Sequence, residues 1–176
     1  MKIVFVSLDF KDLGAFSAVR DFIQGKFEAS VESLVLPIPE RAFNPLRDQY
    51  HAGVIVQELL DKVREGEYLI ALINEDLYVD GFNFVFGLAD PSYRVAVVSD
   101  ARLRQEFYGL PPHRELHLSR FKKEVLHELG HLLGLPHCPD EKCVMHFSNT
   151  LEDTDRKEAE FCDSCQAKIR PYLRKD

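Results

Sequence analysis

The chain has 176 residues, 45 % of them apolar and 13 of them Phe, which suits one domain with a sizeable core and argues against disorder. Charged residues make up 29 % and the formal net charge is -7, a balance that repels phosphate backbones and argues against nucleic acid as a partner. No stretch approaches the roughly 18 apolar residues of a membrane span, so no membrane partner is expected.

The apolar start from Lys2 to Leu8 ends at Asp9 without a small-residue cleavage site, and it reads as a first strand rather than a signal peptide. The expected location is the cytoplasm. Leu13 to Phe27 reads as a helix, with Phe16, Val19, Ile23 and Phe27 at helical spacing. Val31 to Leu36 reads as a strand closed by Pro37 and Pro39, and Pro39 to Gln49 as a loop. Tyr50 to Arg64 reads as a helix with Val54, Leu59, Leu60 and Val63 inward, stopped by Gly66. Strands are expected at Tyr68–Ile73, Phe82–Phe86 and Arg94–Val98. The alternation of strand and helix points to an α/β half with a mixed, mainly parallel sheet.

After Ser99 the character changes. Leu110-Pro111-Pro112 marks a loop, and Arg120 to Leu133 reads as a helix with Ser119 as its N-cap. Gly134 and Pro136 end it, and Ser164 to Leu173 reads as a last helix interrupted by Pro171. The expected division is an upper subdomain of residues 1–134 and a lower one of residues 135–176 within a single catalytic domain.

The chemistry concentrates in His127-Glu128-Leu129-Gly130-His131, followed by Gly134 and His137. Residues four apart share one helix face, so His127 and His131 can address one metal ion. His137 lies too far along a straight helix to join them. Gly134 accepts a left-handed conformation, so the chain can turn back and bring His137 in from another direction. Three neutral histidines leave one position of a tetrahedral zinc open, the pattern of a catalytic site. Glu128 emerges about a hundred degrees around the helix from His127, suited to a water rather than to the metal. It is the candidate general base.

This extended motif resembles the metzincin signature, in which a methionine turn lies below the zinc. Met145, eight residues past His137, would supply that soft floor. The run His137-Cys138, Cys143, Met145 and Cys162-Asp163-Ser164-Cys165 resembles the archaemetzincins in particular, as do Gly81–Gly87 and Phe147-Ser148-Asn149. The resemblance implies a metzincin-like α/β (α+β) fold with a twisted mixed sheet, packing helices, an active-site helix and a small C-terminal subdomain carrying the Met-turn and a four-cysteine zinc site. It implies an edge strand, mapped to Phe82 through Leu88, that takes extended peptide by β-augmentation. It also implies that His146 to Asn149 line the pocket for the residue just past the cut. Phe82, Phe84, Phe86 and Phe147 are the candidate substrate-binding residues.

Cys138, Cys143, Cys162 and Cys165 are all the cysteines of the chain, in two close pairs that suit a tetrahedral structural zinc. Two disulfides are the rival reading, fitting an oxidising compartment. The expectation is two Zn2+ per chain, one catalytic and one structural, in a monomer that cleaves peptide or protein substrates. The alternatives are a catalytically silent zinc- or peptide-binding module, or a hydrolase of a non-peptide amide. His113 and His117 read as solvated loop residues and His146 as a surface residue or a support to a ligand. Asp153 and Asp155 read as helix-start or turn residues, and Arg156-Lys157 and Arg170–Lys175 as solvated faces.

Overall fold

The computed structural model describes residues 1–175. In chain order the elements are β1 (Lys2–Leu8), α1 (Leu13–Lys26), β2 (Ser30–Leu36), β3 (Phe43–Asn44), β4 (Gln49–His51), α2 (Ala52–Glu58), β5 (Glu67–Ile73), β6 (Leu77–Tyr78), β7 (Gly87–Asp90), β8 (Val95–Ser99), α3 (Arg114–Leu132), α4 (Leu151–Arg156) and α5 (Asp163–Ile169). Five strands form one sheet in the order β2-β1-β5-β8-β7, and β3, β4 and β6 form a small second sheet. The pairings β1–β2, β1–β5 and β5–β8 are parallel, while β7 runs antiparallel to β8 at the edge.

Strand side chains alternate between faces, so one apolar run feeds two cores. Ile3, Phe5, Ile70, Leu72, Ala96 and Val98 face α1 and α3, where they meet Val19, Ile23, Phe121, Val125 and Leu129. Val4, Val6, Leu69, Ala71, Val95 and Val97 face the other way, against Ile55, Val56 and Leu59 from α2 and its end. Met145, Phe161, Cys165 and Ile169 of the C-terminal segment join the first core.

Several sequence expectations need correction. The expected Tyr50–Arg64 helix is α2 alone: Tyr50 and His51 belong to β4, and a short 3-10 turn follows at Leu60–Lys62. The expected loop Pro39–Gln49 holds a 3-10 turn at Glu40–Ala42, β3 and the start of β4. Phe82–Phe86 is no strand. Its first carbonyls bond to side chains, Arg47 donating to Phe82 O at 2.8 Å and to Asn83 O at 3.2 Å and Gln49 to Asn83 O at 2.9 Å, and only an isolated bridge of Val85 to Leu77 joins it to β6. The edge strand therefore begins at Gly87, and of the mapped Phe82–Leu88 only Gly87 and Leu88 belong to it. The active-site helix starts at Arg114 rather than Arg120, because the His113 side chain accepts the Leu116 N–H at 3.2 Å and acts as N-cap. The last helix ends at Ile169 and tightens to a 3-10 turn over Arg170–Tyr172. His117 is buried, not solvated, with its Nε2 3.0 Å from Asp100. Lys157 is fully buried rather than part of a solvated face, with Nζ 3.2 Å from Glu124. Among the described residues no helix is long and apolar enough to cross a membrane.

Candidate active site

The last two turns of α3 carry His127, Glu128 and His131. The helix ends in a Schellman arrangement: Leu135 N donates to Gly130 O and Gly134 N to His131 O, each at 2.9 Å. Gly134 takes a φ of +95°, the left-handed region that glycine enters without a Cβ clash. The chain reverses there and returns His137 to the helix. Ring centroids lie 4.6 Å apart for His127–His131, 4.7 Å for His131–His137 and 5.3 Å for His127–His137. One ligand atom from each lies within 4.8 Å of the others.

The ring orientations are fixed from behind. His127 Nδ1 donates to Val144 O and His131 Nδ1 donates to Leu135 O, each at 2.7 Å. With Nδ1 protonated, each Nε2 presents a lone pair forward, and the two Nε2 atoms stand 3.1 Å apart. Two nitrogens on a tetrahedral zinc would stand about 3.3 Å apart at ordinary Zn–N lengths, so the set fits that ion. Burial pushes the pKa of all three imidazoles down, that of His127 well below the usual histidine range. Neutral rings are the form that ligates metal.

Glu128 is buried, and its carboxyl pKa is pushed up to about 8 by burial first and by the nearby Glu124 second, against an opposing pull from Lys157. Its Oε1 packs against Gly87 of the edge strand: a Cβ built there would lie 2.8 Å from it. The glycine thus lets the strand approach the helix at the reacting end of the site. Below the histidines, a Cβ at Gly130 would fall 2.3 Å from Met145 Sδ, so that sulfur lies directly against the helix between the two histidine turns.

The four cysteines are free thiols, with no disulfide among them, and their sulfurs converge. Cys138 and Cys162 sulfurs lie 3.8 Å apart, the separation of roughly 3.8 Å that two thiolates adopt on a tetrahedral zinc. Cys143 Sγ accepts the Cys162 N–H at 3.3 Å. Burial raises the pKa of Cys143 and Cys165, whereas the Cys165 N–H lowers that of Cys162. Four such sulfurs cannot all ionise in so small a space without a cation, which is a further reason the set suits a metal.

A cleft of about 690 Å³ runs over the three histidines. Phe82, Phe84, Phe86 and the edge residues Gly87, Leu88 and Ala89 line one side, and Phe147, Ser148 and Asn149 line the other, with Glu124 also contributing. Phe86 is buried, Phe84 half-buried and Phe82 exposed. Phe147 sits with its ring centroid 5.2 Å from that of His137. His146 stands behind, its Nδ1 2.8 Å from Cys138 O. Asp153 closes a capping box with Thr150 at the start of α4, and Asp155 pairs with Arg120 at 2.7 Å. Sequence reasoning missed Glu124, placed Lys157 on a solvated face and named Gly87 only as part of the edge strand. Glu124 precedes Glu128 by one helical spacing and was readable in principle, but nothing in the local sequence marks Lys157 as buried.

Comparison with known proteins agrees with this architecture. The signature of Peptidase family M54 matches residues 40–171. The archaemetzincin of Pyrococcus horikoshii is 48 % identical over 134 residues, covering 75 % of this chain and 71 % of the relative. That of Methanopyrus kandleri is 44 % identical over 148 residues, covering 84 % and 81 %. The crystal structure of Archaeoglobus fulgidus archaemetzincin, complexed with malonate, superposes with a TM-score of 0.84 at 33 % identity, over 96 % of this chain and 100 % of the other. The Methanopyrus kandleri structure gives 0.83 at 38 % identity, over 97 % and 96 %. The chain belongs to Peptidase family M54, the archaemetzincins, and is a zinc metallopeptidase of metzincin-like fold.

Proposed function

We propose that the chain hydrolyses peptide bonds with Glu128 as general base, and that each chain takes two zinc ions. His127 Nε2, His131 Nε2 and a ring nitrogen of His137 would hold the catalytic ion. Cys138, Cys143, Cys162 and Cys165 would hold the structural one. The carrying observation is the pair of forward-facing Nε2 atoms, 3.1 Å apart, with Glu128 buried beside them at the floor of the cleft. Zinc, when bound, supplies Lewis-acid polarisation and acidifies water.

The chain's own groups do the rest. The free edge of β7 offers unpaired backbone donors and acceptors to an extended peptide running antiparallel to it. Phe82, Phe84, Phe86 and Phe147 border that path and exclude water. Glu128, on the helix side of Gly87, takes the proton of the attacking water on its carboxylate and delivers it to the leaving amine. Met145 keeps the two histidine turns at a fixed height, in the manner of a Met-turn. Residues 1–134 would act as the upper subdomain and residues 135–176 as the lower, zinc-stapled one.

The test combines metal analysis with a diverse peptide library read by mass spectrometry. The expected outcome is two zinc ions per chain, defined cut sites for the wild type, and cutting lowered about 100-fold or more in Glu128→Gln at unchanged metal content. Equal cutting by the variant removes Glu128 as base. Metal binding without any cutting favours a silent module, and amide cleavage outside peptides favours the other alternative.

A further inference from the structure

We propose that the buried pair Glu124–Lys157 sets the specificity of the subsite beside the scissile bond, which selects a neutral, hydrogen-bonding side chain such as Gln, Asn, Ser or Thr. The inference rests on the peptidase reading above and names the substrate class for that site.

Glu124 lies one helical spacing before Glu128 on α3 and contributes to the cleft lining although only 3 % exposed. Two contacts hold it, and both fall on the same oxygen. Thr154 Oγ1 donates to Oε1 at 2.9 Å and Lys157 Nζ stands 3.2 Å from it. Those contacts leave Oε2 to the cleft. Lys157 also donates to His146 O at 3.2 Å, so one ammonium joins the catalytic helix to the segment that carries Phe147, Ser148 and Asn149. Glu124 therefore faces the cleft on the Phe147–Asn149 side. There, Ser148 Oγ is buried without a hydrogen-bond partner among the described residues.

The charges around this floor cancel in pairs. Arg120 is matched by Asp155 and Lys157 by Glu124, while Lys123 turns to the carbonyls of Thr154 and Asp155 and does not line the cleft. A carboxylate entering the subsite would meet Glu124. An ammonium would meet a carboxylate already neutralised, with the Lys157 charge directly behind it. In a water-poor recess either charge would lose hydration without gaining a partner. A side-chain amide or hydroxyl loses less and can donate to the Glu124 oxygen that Thr154 and Lys157 leave free. A site built of polar atoms that need partners also rejects apolar side chains that leave them unpaired.

A purely structural strut would not move the sign of a charge preference, so the test reads that sign. Zinc-loaded wild type, Lys157→Met, Glu124→Gln and the double variant are each given peptide libraries varied at the residues flanking the cut. Wild type should favour neutral polar residues at one flanking position. There, Lys157→Met should shift kcat/KM toward Lys and Arg by about tenfold or more, and Glu124→Gln toward Asp and Glu. The double variant, which restores neutrality and tolerates loss of either partner, should return to uncharged residues. A wild-type preference for large apolar or charged residues overturns the proposal, as do profiles that stay the same in all four proteins. Peptide dissociation constants on the Glu128→Gln background read the same series without catalysis. If wild type cuts nothing yet these affinities follow the charge pattern, the subsite stands and the peptidase reading falls. Affinities indifferent to charge overturn the subsite.

Discussion

Replacing Gly130 by alanine isolates the contact between the catalytic helix and the residue beneath it. On an exposed helix the change would stabilise by about 1 kcal/mol through propensity alone. Here the new methyl would lie 2.3 Å from Met145 Sδ, and 3.1 Å from both Met145 Cε and Phe161 Cε1. The sulfur would have to retreat by about 1.5 Å to reach ordinary contact distance. Met145 is fully buried, so it has no empty space to enter. Overpacking of this kind costs about 1–3 kcal/mol, which cancels or outweighs the helical gain and leaves a net loss of about 0–2 kcal/mol. For a chain of this size, the melting temperature should fail to rise and should fall by up to about 8 °C. The shift also reaches the metal site, because Val144, next to Met145, accepts the His127 Nδ1 proton. Disturbing that support should weaken zinc at the histidine site about tenfold. Thermal melts and competition with a graded zinc chelator measure both. A variant that melts higher by the full helical increment, with unchanged zinc affinity, would refute the reasoning.

Two further outcomes follow. With the histidine site emptied by a chelator mild enough to spare the thiolates, Glu128 retains a proton that the unfolded chain releases. Its pKa is about 8 when folded against an ordinary carboxyl value of 4.5, so wild-type stability should decline as pH rises between those values. The cost at pH 9 is at most about 5 kcal/mol, and Glu128→Gln should not show it. Urea midpoints for both proteins at pH 5 and pH 9 check this, and parallel pH profiles count against it. Cys162→Ser should lower zinc content from two ions to one, reduce the melting temperature by about 10 °C or more and weaken the histidine site. Unchanged zinc content and melting would remove the thiolate site as a structural element.

The motif region was legible because its chemistry is local. The i, i+4 spacing of His127 and His131 and the helix-ending Gly134 each act through the backbone of one short segment. The central strands β1 and β5 were legible because they are buried on both faces and read as continuous apolar runs. What failed depended on distant partners. Phe82, Phe84 and Phe86 alternate as a strand would, yet Arg47 and Gln49, more than thirty residues earlier, take the carbonyls of Phe82 and Asn83 that a strand would have offered to a neighbour. His113 caps α3 with a ring nitrogen, which no preference for Ser, Thr, Asp or Asn anticipates. Lys157 and His117 look solvated in sequence and are buried because Glu124 and Asp100 await them.

Those buried charges bear on how the site is held. Replacing a buried ion pair by apolar residues is often neutral or better for stability, so the buried Lys157–Glu124 pair is a weak candidate for a net stabiliser, as is Arg120–Asp155, whose carboxylate is exposed. Their value lies in direction. Apolar packing would let α3 slide or rotate against α4 at small cost, whereas each of these pairs has one satisfying register. Arg120 bonds Asp155 through Nε at 2.7 Å and Nη2 at 2.8 Å, and Lys157 engages Glu124 while donating to His146 O. His146 Nδ1 contacts Cys138 O, and Cys138 N donates to Met145 O at 3.0 Å. The catalytic helix, the methionine beneath it and the first cysteine of the thiolate cluster are thereby linked by directional bonds through one loop. His137 adjoins Cys138 in that same loop. The third imidazole, which the helix alone cannot place, thus takes its position from the cysteine cluster and these ion pairs together.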